Sequence, residues 1–228
     1  MLFRSVDSSN LGTIQISQTL SNERNRQWLS AFGFGEKTSL KFPGETKGLL
    51  KLARNWQGTE KFTFAYGYGY AATPIQLVSA VNVIANDGVY IGPKLVTQVV
   101  DSRGLSTPTP ESPTRRVLSS STAATMRSLM TDVVCYGTAQ LAKMKGLSVG
   151  GKTGTGYIRQ DNGTYLKDDG SRAYFASFVG FLPASNPEFT VLVSVDEPDP
   201  GSRDRFGGTA AAPVFARIGQ VKIGRAHV

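Results

Sequence analysis

The sequence predicts an α/β chain of the α+β type, with helices gathered first, an antiparallel sheet after them and a closing helix. Three observations predict it. Capped segments with helical apolar spacing occupy much of the chain up to residue 136. After Gly146, three runs (147–155, 173–182 and 189–196) read as strands. The connection 183–187 is too short for a crossover, so its two strands are expected to be antiparallel neighbours.

Residues 10–34 read as helical because Leu11, Ile14, Trp28, Leu29 and Phe32 keep helix spacing, and Gly33 and Gly35 punctuate the end. Residues 36–72 form a long irregular stretch holding Pro43-Gly44 and Gly67-Tyr68-Gly69; a loop of that length in a compact domain is often functional. Its Tyr66, Tyr68 and Tyr70 are expected to pack rather than to stack on a substrate. Thr73-Pro74 opens the next helix with a capping hydroxyl and a proline at the first helical position. Leu77, Val78, Val81, Ile84 and Ala85 form its apolar stripe, and Gly88 closes it. A short strand over 94–101 then leads into a linker, 102–114, rich in Ser, Thr and Pro. Ser119 to Ser121 offer caps to a helix whose Met126, Leu129, Met130, Val133 and Val134 mark a buried face. Turn signals at Asp161-Asn162-Gly163 and Asp168-Asp169-Gly170 separate the first two sheet strands, and the last helix follows Thr209. Cys135, near a helix end, is expected to be a small buried apolar residue.

Composition narrows the chemistry. With 228 residues and 40% apolar content, the chain is long enough for a sizeable core. One cysteine, Cys135, leaves no internal disulfide and no cysteine-rich zinc site. The one histidine, His227, lies two residues from the end, so a Ser-His-Asp triad, a Cys-His dyad or a histidine-bound metal has little to build on. No cofactor and no metal are expected. The net charge of +8 suits an anionic partner such as a wall polymer, but the positive residues are scattered and no nucleic-acid partner is expected. The ends, 1–5 and 223–228, look foreign to the rest, as translated adapter would. The chain is therefore expected to be a fragment, with 6–222 as a partial domain whose N-terminal part is missing.

The densest signal is Gly150-Gly151-Lys152-Thr153-Gly154-Thr155. Counted from Gly146, it also fits the spacing of a nucleotide-binding phosphate loop. Such a loop needs a strand before its first glycine and a helix opening at its lysine; here a helix tail precedes it and a turn-rich segment follows. The other reading places Lys152 on an edge strand. An ammonium and two hydroxyls then line one exposed edge, and Gly154 lets a substrate backbone come close. An extended peptide could add there as a further strand, with a strand N–H available to an oxyanion. Ser8-Ser9-Asn10, a Ser-x-Asn, means little by itself, since such tripeptides commonly cap helices. Beside Lys-Thr-Gly in a chain almost free of histidine, it supplies the second of three motifs used by penicillin-recognising serine enzymes, the third being Ser-x-x-Lys.

Several motifs occur together and in order: Ser8-Ser9-Asn10-Leu11-Gly12, Phe32-Gly33-Phe34-Gly35, Phe42-Pro43-Gly44-Glu45, Ala65-Tyr66-Gly67-Tyr68-Gly69-Tyr70, Thr73-Pro74-Ile75-Gln76-Leu77, Lys152-Thr153-Gly154-Thr155, and Phe206-Gly207-Gly208 ahead of Ala212-Pro213. As a set they resemble the transpeptidase domain of class B penicillin-binding proteins, nearest to the FtsI-like peptidoglycan synthases. The resemblance implies the penicillin-binding protein and serine β-lactamase-like fold, and a serine D,D-transpeptidase that cross-links peptidoglycan through an acyl-enzyme. It implies that Ser8 relays protons, Asn10 bonds a stem-peptide carbonyl and Lys152 holds a positive potential. Thr153 and Thr155 would bind the terminal carboxylate of D-alanyl-D-alanine or of a β-lactam, beside Gly154, and the Thr155 N–H would serve the oxyanion. It further implies a membrane-anchored parent acting outside the cytoplasm of a bacterium, with a lipid II glycosyltransferase and divisome proteins as partners. No serine in this sequence has lysine three residues on, so the nucleophile is expected to have been lost by truncation and the fragment alone to be inactive. A β-lactam-sensing receptor, and a serine β-lactamase or D,D-carboxypeptidase, share the motifs and stand as alternatives.

Overall fold

The computed structural model describes residues 6–199 and 204–226, with side chains as far as 221. The segments expected to be foreign, 1–5 and 223–228, lie outside the described side chains, and His227 lies outside the described residues. The chain divides into two units, one of Asn10–Ala123 and one of Met1–Ser9 with Ala124–Val228.

In the first unit, the helical stretch expected over 10–34 is two helices, α1 (Asn10–Gln18) and α2 (Asn22–Ala31). The break follows from Ser21, whose Oγ accepts the Arg24 N–H at 3.1 Å and caps a new helix. Leu11, expected on the apolar face, is 74% exposed. The long stretch that follows contains a 3₁₀ turn (Ala53–Asn55) and a short helix, α3 (Glu60–Ala65), and Leu49 bridges Ala71 to close it. Trp56 and Phe64 stack at 4.2 Å, and Tyr70 lies 6.0 Å from Phe64 and 5.7 Å from Phe34, so Tyr70 packs as expected.

Helix α4 (Pro74–Ala85) starts with a complete capping box: the Thr73 hydroxyl accepts the Gln76 N–H, and Gln76 Oε1 accepts the Thr73 N–H. Gln76 is also buried, and its Nε2 donates to the carbonyls of Glu36 and Lys47 at 2.7 and 3.0 Å. One side chain thus ties the irregular segment to the helix, and the most buried stripe runs through Gln76, Ser79, Ala80 and Val83 instead of the larger apolar residues. Gln76→Leu keeps the volume but strands three backbone groups. It is expected to cost about 2 kcal/mol in urea unfolding.

Four three-residue strands complete this unit: β1 (Val89–Ile91) pairs with β4 (Thr114–Arg116), and β2 (Gln98–Val100) with β3 (Ser106–Pro108), both antiparallel. The strand expected over 94–101 shrinks to β2, and the expected linker carries β3 and the start of β4. Every residue of β2, β3 and β4 is exposed, so burial imposes no alternation that a sequence could display.

In the second unit, α5 (Ser120–Tyr136) starts at Ser119, whose Oγ accepts the Thr122 N–H at 3.1 Å, and it buries Met130, Val133 and Val134. Cys135 is free but half-buried, less enclosed than expected. Strands β5 (Gly150–Tyr157), β6 (Tyr174–Leu182) and β7 (Phe189–Asp196) form one antiparallel sheet in that order, within a few residues of the expected limits. A π-helical turn (Gly207–Ala211) runs into α6 (Ala212–Ala226). Phe178, Leu182 and Val193 of the sheet meet Phe215 of α6 and Val133 and Val134 of α5 in the core. The chain therefore has the α+β fold the sequence predicts, an antiparallel sheet flanked by helices.

Candidate active site

The site is built on β5, which has β6 on one side and is the edge of its sheet. Strand geometry fixes what that edge presents. Side chains alternate, so Lys152 and Gly154 share a face with their cross-strand partners Val179 and Ser177. Thr153, Thr155 and Tyr157 occupy the opposite face with Phe178, Ala176 and Tyr174. The ladder alternates as well. Ile158 N–H donates to the Ala173 carbonyl directly opposite, so even-numbered residues of β5 bond to β6. The N–H and C=O groups of Thr153, Thr155 and Tyr157 therefore point outward along the open edge.

Lys152 reaches that edge from its own face. Its Nζ donates to the Thr153 carbonyl at 3.1 Å and to Ser8 Oγ at 2.7 Å, across 144 residues of sequence. Burial pushes the Lys152 ammonium down to about 8, so it gives up its proton far more readily than an ordinary lysine. Ser8 sits at φ +55°, a left-handed conformation that costs a non-glycine residue about 1 kcal/mol. The segment that carries it packs on the end of α5. A Cβ on Gly137 would fall 2.4 Å from the Val6 carbonyl oxygen, so only glycine admits that approach. Asn10, two residues beyond Ser8, is the first residue of α1 in the other unit.

On the opposite face, Thr153 Oγ1 lies 2.9 Å from Thr138 Oγ1, and Thr155 Oγ1 accepts the Gly207 N–H at 3.0 Å. The two threonines therefore lie on the sheet face opposite the ammonium and meet it at the strand edge. A Cβ on Gly154 would fall 2.6 Å from Ser177 Oγ on its own sheet face, so the neighbouring strand also requires glycine here. Gly207 has the same character: a Cβ would fall 2.5 Å from the Gly154 carbonyl oxygen. Thr138 and the Gly207 N–H carry no sequence signal of their own, because each acts through a neighbour fixed by the tertiary fold. Lys152 lies within a strand and opens no helix, which removes the phosphate-loop alternative. Among the described residues no cluster of His, Cys, Asp and Glu could hold a metal ion, and no helix is long and apolar enough to cross a membrane.

The family model of the penicillin binding protein transpeptidase domain matches residues 6–220. Stage V sporulation protein D of Bacillus subtilis is 35% identical over 214 residues, covering 93% of this chain and 32% of that protein. The peptidoglycan D,D-transpeptidase FtsI of Escherichia coli is 32% identical over 212 residues, covering 92% of this chain and 33% of that protein. The crystal structure of penicillin binding protein 3 from Mycobacterium tuberculosis, complexed with aztreonam, superposes with a TM-score of 0.90 at 31% identity, over 100% of this chain and 52% of that one. The chain spans about a third of the length of the curated relatives it matches.

Proposed function

This chain belongs to the penicillin-binding protein transpeptidase family, and from that premise we propose that it forms the substrate-holding and proton-relaying part of a serine D,D-transpeptidase. The observation that carries the proposal is the 2.7 Å contact between Lys152 Nζ and Ser8 Oγ at an open strand edge. Its substrate is a peptidoglycan stem peptide ending in D-alanyl-D-alanine, laid antiparallel along β5. The hydroxyls of Thr153 and Thr155 hold the terminal carboxylate. The outward N–H of Thr155 stabilises the tetrahedral oxyanion, an interaction whose loss typically costs about 100- to 1,000-fold in rate. Lys152 supplies positive charge where the carboxylate binds, and Ser8 passes protons between Lys152 and the leaving amine. Asn10 bonds a carbonyl of the stem peptide. Gly154, with no side chain, lets the ligand backbone come close to the strand.

The covalent step is acyl transfer to a serine, with release of the last D-alanine. None of the serines in these 228 residues is followed at the third position by lysine, so the acyl-forming serine is not one of them. β-Lactams would occupy the same edge through their carboxylate, as inhibitors. The enzyme would act outside the cytoplasm on a bacterial membrane, beside a lipid II glycosyltransferase and division proteins.

Ligand binding tests the reading without the covalent step. Acetyl-D-Ala-D-Ala added to the chain is expected to move the amide resonances of residues 152–157, and the same ligand with an amidated C-terminus is expected not to. Thr155→Val should weaken binding about tenfold. Resonance shifts confined to another surface, or equal binding of the amide, would show that the edge of β5 is not the substrate site.

A further inference from the structure

The hairpin of β2 and β3 has two outer edges, and the sequence treats them differently. Thr109 N–H donates to the Thr97 carbonyl at 2.9 Å, and Asp101 N–H to the Leu105 carbonyl at 3.0 Å. Both are directly opposite pairs in the observed register, so the odd-numbered residues of β2 bond to β3. The N–H and C=O groups of Gln98 and Val100 therefore point away from the hairpin. On β3 the outward positions are Ser106 and Pro108, and Pro110 continues the row. The two prolines have no N–H to offer, which blunts that edge.

Strand β2 has no such device. From Leu95 to Val100 there is no charge, no proline and no glycine. Val99 and Val100 are 59% and 56% exposed, and Leu95 and Val96 are exposed beside them. The charges at the two ends are already engaged: Lys94 Nζ donates to the Thr109 carbonyl at 3.2 Å, and Arg103 pairs with Asp101 at 3.1 Å. Among the described residues only β3 pairs with β2, so its far side is open. An exposed, uncharged strand rich in valine, with outward backbone groups, is a template for one more strand.

We propose that β2 pairs antiparallel with β2 of a second copy of this chain, joining the two hairpins into one continuous sheet. The register follows from the outward groups. With Val99 opposite Val99 of the second copy, Gln98 faces the other copy's Val100, and Val100 its Gln98. The outward groups of these residues then satisfy one another, and no residue outside β2 is needed. Val99 falls at a pair without hydrogen bonds across it, where side chains come closest, and valine on valine suits that position. Charge selects the occupant. Two copies of a chain with net charge +8 repel, so they meet best where neither presents charge. In this register the nearest charged residue, Asp101, lies opposite Thr97, and no like charges face each other. The three residues of β2 fall far short of the roughly 20–30 a side of a stable interface, so the dimer is weak and comes apart on dilution.

Sedimentation equilibrium of the 228-residue chain tests the pairing. The average mass is expected to rise from monomer at about 10 μM toward dimer at about 1 mM. Val99→Lys puts like charges opposite each other and should weaken association about tenfold, with part of the loss recovered in high salt. Gln98→Pro removes an N–H that β3 does not use, and should abolish the dimer while leaving the hairpin intact. Register is read by cross-linking in a Cys135→Ser background. Val99→Cys should link two copies on mild oxidation, because Cα atoms at that pair lie about 4.5 Å apart. Gln98→Cys should not, since its symmetry mate is a diagonal neighbour about 7–8 Å away. A chain that stays monomeric at the highest concentration, or a dimer indifferent to both Val99→Lys and Gln98→Pro, overturns the proposal. Cross-linking through Gln98→Cys in preference to Val99→Cys overturns it as well. So does a monomer whose β2 amide resonances move only when an unrelated strand-forming peptide is added, which would give the edge to another partner.

Discussion

Phe178→Ala is expected to destabilise the sheet-bearing unit by about 3–5 kcal/mol, the range for deleting a fully buried ring. Phe178 is 0% exposed, and its ring meets Phe215 edge to face at 4.8 Å, which ties β6 to α6. Its cross-strand partners are Thr153 on β5 and Val193 on β7, so it sits at the centre of the sheet. The hole left behind cannot close easily, because Gly151 already accepts the ring where any Cβ would fall 2.3 Å from it. Urea unfolding should show a lower midpoint with an unchanged slope. Val99→Ala, on the fully exposed β2, is the control and should change stability by less than about 0.5 kcal/mol. A loss below about 1 kcal/mol for Phe178→Ala would mean that this ring does not organise the core.

The contrast between those two positions also explains what could be read from the chain alone. Strands β6 and β7 were legible because long, largely enclosed strands force apolar residues into recognisable runs, whereas the glycine-rich β5 was marked by its Lys-Thr-Gly motif. The start of α4 was legible because a capping box needs particular residues at fixed spacing, here Thr73 and Gln76. The strands β2 to β4 were not, since three exposed residues are under no burial constraint, and β1 is too short to show an alternation. The Ser8–Lys152 pairing could be expected only as two motifs, and what joins them is the packing of the 6–9 segment on Gly137. Ladder parity, which turns Thr155 N–H outward while Lys152 faces β6, is a property of pairing register and leaves no mark on composition.

Lys152→Met should remove a rise of stability with pH that the buried lysine gives the parent protein. The folded protein holds the ammonium in a buried position with a pKa of about 8, against 10.5 for the unfolded chain. Between those values the unfolded state binds more protons, so the parent protein gains stability as pH rises from 8 to 10.5. Below pH 8 both states are protonated and the full desolvation cost is present; above 10.5 neither is, and the cost is gone. A methionine has no such dependence. The stability of the variant relative to the parent should therefore rise by about 3 kcal/mol as pH falls from 11 to 7, with most of the change between 10.5 and 8. Comparing the two proteins at each pH cancels the other titrating groups. The same proton governs ligand binding, because a carboxylate on Thr153 and Thr155 is drawn by the charge on Lys152. Affinity for acetyl-D-Ala-D-Ala should then fall as pH rises through about 8, and Lys152→Met should remove that fall together with most of the affinity. A stability difference that does not change with pH, or an affinity midpoint near 10.5, would place the ammonium in water, not against Ser8. The strand edge would then lack the readily deprotonated group that a proton relay at neutral pH requires.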